Sequence, residues 1–100
     1  MTNTPKALFR GNASTSNTTL YTVPSATTVI ITNVVVTNTA TSSAIFTFNL
    51  NGVAIQSNST IAANSSAYFD LKQVLAATQT ISGFASATTV NFHISGVEVA

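Results

Sequence analysis

Few side chains in this 100-residue chain can do acid–base, nucleophilic or metal chemistry. There is one histidine, His93, two carboxylates, Asp70 and Glu98, three cations, Lys6, Arg10 and Lys72, and no cysteine. Nucleophilic catalysis would need a Ser or Thr activated by a neighbouring base. His93 is the single imidazole, and it sits between Phe92 and Ile94 in a strand-like run. Alternation puts it on the face opposite Phe92, with Asn91 and Ser95, where a hydrogen-bonded or solvent-facing histidine is expected. A paired-carboxylate mechanism would require Asp70 and Glu98 to converge from distant parts of the chain. Each reads as a surface charge instead, Asp70 with Lys72 as its neighbour. One His and two acids also lack the number and spacing of metal ligands. The expectation is a protein without enzymatic activity, metal or cofactor.

Nucleic-acid binding calls for a clustered basic face, and three cations spread over positions 6, 10 and 72 neutralise too few phosphates. No run approaches the ~18 apolar residues of a membrane span. The N-terminal Met-Thr-Asn-Thr-Pro-Lys has no apolar signal region, so an intact cytoplasmic product is expected. Asn12, Asn17, Asn58 and Asn64 stand in glycosylation triplets. Chance supplies these in a chain so rich in Asn, Ser and Thr.

The elements that position these residues are strands. Ile45-Phe-Thr-Phe-Asn-Leu-Asn-Gly-Val-Ala-Ile55 carries the strongest local signal. Asn51-Gly52 suits a type I′ turn, which needs φ > 0 at both central residues. That turn pairs Leu50 with Val53 and Phe48 with Ile55, placing Phe46, Phe48, Leu50, Val53 and Ile55 on one face and Thr47, Asn49 and Ala54 on the other.

Met1–Pro5 reads as a flexible or partner-docked arm, followed by a short edge strand over Ala7–Arg10 that ends at Gly11. Asn12–Thr18 reads as a loop, and Thr19–Val23 as a strand stopped by Pro24. Thr27–Thr39 is the longest β-branched run and predicts a central strand. Ile30, Thr32, Val34 and Val36 would share one face, and Val29, Ile31 and Val35 the other. Gln56–Thr60 reads as a loop and Ser66–Leu71 as a strand with Ala67, Phe69 and Leu71 inward. Leu71, Val74 and Leu75 stand at helical spacing, which predicts a single helical turn over Leu71–Ala77. Thr78–Phe84 and Thr89–Val99 close the set. Val90, Phe92 and Ile94 would face the core, and a bulge at Gly96 would turn Val97 and Val99 inward.

About eight short strands with polar turns predict one all-β domain over residues 1–100. The expected architecture is an antiparallel β-sandwich of jelly-roll or immunoglobulin-like topology. Charged residues make up only 5% and net charge is +1, so polarity must come from Ser, Thr and Asn, roughly two-fifths of the chain. A surface this close to neutral favours association, because charge on exposed edges is a usual guard against pairing. Lys6, Leu8, Phe9 and Arg10 of the N-terminal segment, with Tyr21 and Tyr68, are the candidate partner contacts. Tyr is favoured at such surfaces.

The chain resembles the small β-structural proteins of tailed bacteriophage virions. The resemblance rests on Ala7–Gly11, Leu20–Pro24, Val34–Ala40, Leu50–Ile55, Asp70–Leu75 and Ser86–Glu98. It implies a capsid decoration (cement) protein on the virion surface, bound to the major capsid protein or another virion protein. Such a subunit would self-associate, with a trimer expected, and would bind neither nucleic acid nor membrane. The alternative it leaves open is a tail, fibre or spike subunit with a receptor-binding role. Loops such as Asn12–Thr18 and Gln56–Thr60 would then meet sugars. No functional residue carries over from the resemblance.

Overall fold

Asn51 and Gly52 both adopt positive φ, 50° and 78°, at the tip of a hairpin in the middle of the chain. The whole polypeptide doubles back about this turn. The computed structural model describes residues 2–100. Its strands are β1 (Asn3–Asn12), β2 (Thr18–Thr22), β3 (Thr28–Asn38), β4 (Ala44–Leu50), β5 (Val53–Ile61), β6 (Ser65–Leu75), β7 (Thr80–Ala85) and β8 (Val90–Val99). β4 pairs with β5, β3 with β6, β2 with β7 and β1 with β8, all antiparallel. The two sheets have the orders β1-β8-β3-β6 and β2-β7-β4-β5. That order is the jelly roll, two interlocked Greek keys folded from one long hairpin. Of the two topologies open to the sequence, this is the one formed.

The inner faces pack on aromatic contacts between sheets. Phe69 of β6 meets Phe46 and Phe48 of β4 edge-on, at centroid distances of 6.0 and 5.6 Å. Phe92 of β8 meets Phe46 at 6.4 Å in the same manner. These geometries suit the ring quadrupoles and fix how the sheets sit on one another. Val29, Ile31, Val34, Val36, Ile81, Val90 and Ile94 fill the remaining core.

One end of the sandwich is closed by Asn38, which is fully buried. Its Nδ2 donates to the Ser42 carbonyl at 2.9 Å, while its Oδ1 accepts from the Ala40 amide at 3.1 Å and from the Thr89 hydroxyl at 3.3 Å. A buried amide is tolerated there because its bonding capacity is filled.

A line of irregularities crosses the β1-β8-β3-β6 sheet at one level. β1 has an extra residue at Leu8, β3 at Thr32 and β6 at Leu71–Lys72, while β8 passes straight through at Ser95-Gly96. The single extra residues reset the alternation of β1 and β3, while the pair Leu71–Lys72 leaves that of β6 unchanged. In β3 the reset puts Val29 and Ile31 inward together with Val34 and Val36, which simple alternation had assigned to opposite faces. Gly96 carries no bulge of its own, so Val97 and Val99 stay on the outer face and Glu98 turns inward. The glycine is required for space: a Cβ there would lie 2.5 Å from the Ile30 carbonyl oxygen and 3.0 Å from Leu8 Cδ1.

Four other expectations are corrected. The N-terminal arm is absorbed into β1, with Asn3 opposite Val99 and Pro5 opposite Val97; Met1 lies outside the described residues. Gln56–Thr60 belongs to β5, kept in the ladder by a left-handed Asn58 (φ 49°) whose amide donates to Thr47 Oγ1 at 2.9 Å. Residues 71–75 continue β6 as strand, because β3 offers a ladder that outweighs a weak helical spacing. In the hairpin Leu50 faces Val53 as expected, but Phe48 faces Gln56 rather than Ile55, and Val53, at the turn end of β5, is 68% exposed.

Candidate interaction surface

The six residues singled out from the sequence are divided by the fold. Leu8 is buried, and Phe9 is half-buried with part of its side chain packed against the core. Tyr21 and Lys6 converge on Glu98, which sequence reading took for a plain surface charge. The Tyr21 hydroxyl donates to Glu98 Oε2, and Lys6 Nζ lies 3.4 Å from the same oxygen. Tyr21 lies on β2 of one sheet, Lys6 and Glu98 on β1 and β8 of the other. The cluster is therefore a clasp between the sheets. The Glu98 carboxyl is held below its ordinary value of 4.5, first by the Tyr21 hydrogen bond and then by Lys6, with burial opposing. Burial and the bond to Glu98 push the Tyr21 phenol upward, so it stays a neutral donor. These three groups tie the two sheets together at one edge.

Arg10 and Tyr68 remain on the outside, at opposite ends of one row. Tyr68, Val35, His93 and Arg10 stand side by side across β6, β3, β8 and β1. His93 thus lies on the outer face, as alternation predicted. A neighbouring row, Val74, Ile30, Val97 and Pro5, is entirely apolar. Tyr68 is 75% and Val74 63% exposed. Between these rows lie Asp70, Asn33, Ser95 and Ala7. This outer face is four strands wide, and its charged side chains are Arg10, Asp70 and Lys72. Among the described residues no three His, Cys, Asp or Glu side chains gather closely enough to hold a metal ion. The Asp70–Lys72 pairing suggested by the sequence is not made; the salt bridge found among the described residues is Lys6–Glu98.

The opposite sheet carries a shallow groove of about 160 Å³, lined by Ile45, Thr47, Asn58, Phe84 and Ser86 with Thr15 above them. Its lining combines the apolar Phe84 and Ile45 with the hydroxyls of Thr15, Thr47 and Ser86 and the amide of Asn58.

No protein-family model matches the chain, and no curated protein or solved structure is similar to it.

The signals for the clasp and the outer face were present but indirect. A bulge at Gly96 would turn Glu98 outward, and its absence brings Glu98 opposite Val29 on the inner side. Helical spacing at Val74 masks the apolar row, which forms only when Val74 pairs with Ile30.

Proposed function

We propose that this protein is a non-enzymatic structural subunit of a bacteriophage particle, a capsid decoration protein that binds the shell surface and stabilises it. The observation that carries the reading is the outer face of the β1-β8-β3-β6 sheet, a surface four strands wide that is crossed by the apolar row Val74, Ile30, Val97 and Pro5 and leaves Ile30, Tyr68 and Val74 exposed. Contact along the apolar row buries side chains that carry no charge to desolvate. Added buried area across neighbouring capsid subunits favours the assembled shell by mass action. The jelly roll, shared by capsid and lectin domains, supports the reading by analogy of fold. The N-terminal segment expected to reach the shell lies in β1, so the contact moves to the sheet face that β1 borders.

The test is co-sedimentation of the protein with shells built from the major capsid protein encoded nearest its gene. The wild type is expected to pellet with shells, and Ile30→Asp on the outer face to lose at least tenfold in affinity while unfolding at an unchanged temperature. Shells that bind neither protein, or both equally, sink the reading. A second reading, a tail or fibre subunit that binds a receptor sugar, is favoured by the groove around Phe84, where an aromatic ring and hydroxyl rim suit a sugar face. A glycan array that lights up with the wild type and not with Phe84→Ala would favour it.

A further inference from the structure

β6 is an edge strand with neither the proline of β1 nor the shortness of β2; its own irregularity is the extra residue at Leu71–Lys72, and its edge charges are one acid and one base, Asp70 and Lys72. β1 carries Pro5, which has no N–H to offer. β2 is only 5 residues long. β5 is broken by register shifts and by a left-handed Asn58. β6 runs for 11 residues without Pro or Gly, and no strand pairs with its outer side. A long edge without proline is a template for another strand, and charges of both signs repel only a strand that does not complement them.

The solvent-facing residues of β6 say which strand. Tyr68, Asp70, Lys72 and Val74 alternate along the outer face, and all four are exposed. Their order is apolar, acidic, basic, apolar. Laid antiparallel against itself about Leu71, this strand puts Tyr68 opposite the partner's Val74 and Asp70 opposite the partner's Lys72, twice over. The two exposed apolar side chains cover each other, and Asp70 and Lys72, neither of them in an ion pair within the subunit, find one.

We infer that the protein forms a two-fold dimer by β6–β6 pairing centred on Leu71, with a second copy of this chain as the partner. The two sheets fuse into one of eight strands. The row Pro5-Val97-Ile30-Val74 then runs on into Tyr68 and Val35 of the partner subunit, making a continuous apolar band. The extra residue at Leu71–Lys72 increases the local twist of β6, but a two-fold axis brings together strands of identical twist, so the edges match. The inference deepens the self-association proposed above, does not depend on the capsid reading, and replaces the three-fold assembly expected from the sequence.

Light scattering and sedimentation equilibrium on the full chain from about 1 to 100 μM test it. The expected species has twice the 10.3 kDa mass of the subunit. Asp70→Lys alone and Lys72→Asp alone each place like charges opposite one another at two points. Each is expected to weaken dimerisation about tenfold. The double swap Asp70→Lys with Lys72→Asp restores opposite charges and is expected to recover wild-type affinity. Thermal unfolding of each variant, followed by circular dichroism at a monomeric concentration, checks that the subunit still folds. Recovery in the double swap supports the Leu71-centred register. A subunit mass across the whole range, a three-chain mass, or a dimer indifferent to the single reversals overturns the inference. Loss of shell binding without loss of dimerisation would overturn the capsid reading and leave this one standing.

Discussion

The β1-β8-β3-β6 sheet ends in two long strands of nearly equal length, β1 with 10 residues and β6 with 11, and they are finished differently. β1 is clasped. Pro5 blanks one donor, Leu8 bulges inward over Gly96, and Lys6 leans on a carboxylate that also receives Tyr21 from the facing sheet. β6 is open, with its charges unpaired and Tyr68 and Val74 in solvent. A protein with 5% charged residues cannot guard every edge with ions. Two of its three cations stand on β1, Lys6 in the clasp and Arg10 on the outer face, while the third stands on β6 next to its complement. The contrast separates charge used to hold a fold from charge left available to a partner.

Substitutions at the clasped edge should cost stability, and the largest effect is expected at Gly96. Gly96→Ala drives a Cβ to 2.5 Å from the Ile30 carbonyl, where backbone must move. A loss of about 3 kcal/mol is expected, read as a lower urea midpoint at constant slope. An unchanged midpoint would mean that β1 and β3 separate freely at this level.

Tyr21→Phe comes next. It removes a charge-assisted hydrogen bond from a partly exposed site, which lowers stability by about 1 kcal/mol. The pH dependence sharpens this. Glu98 titrates below its ordinary 4.5 in the folded state, so its contribution is complete above that value and is lost as pH falls through the folded-state one. Tyr21 titrates above its ordinary 10.0, so its contribution holds below that value and is lost on going more alkaline. Denaturant titrations should show a plateau between those limits in the wild type. In Tyr21→Phe the alkaline decline attributable to this phenol should vanish and the acid decline should flatten.

The smallest effect compares the lysines. Lys6→Ala removes a half-exposed ion pair at 3.4 Å and should cost a few tenths of a kcal/mol, roughly the value of surface pairs. Lys72→Ala should leave subunit stability unchanged and weaken association only. If Lys72→Ala destabilised the isolated subunit as much as Lys6→Ala, the distinction between the edges would fail.

Much of this architecture was written in local residue chemistry. Asn51-Gly52 specified the turn and its register at Leu50–Val53, because positive φ leaves few residue choices. The β-branched run through Val29–Val36 specified a central strand. The alternation of Ala67, Phe69, Leu71 and of Val90, Phe92, Ile94 marked inward faces that were found where expected. The scarcity of charge pointed to association without naming a surface.

Tertiary structure alone decided the rest, and the reason is that bulges and pairings are set between strands rather than along them. Whether Thr32 is an extra residue depends on what β8 and β6 present on either side of it, and that shift settled which valines are buried. Residues 71–75 became strand because β3 supplied a ladder for their backbone groups. Glu98 met Tyr21 and Lys6 only because the jelly roll brings both chain halves to one edge, across 77 and 92 residues of sequence. No local pattern contains such a meeting.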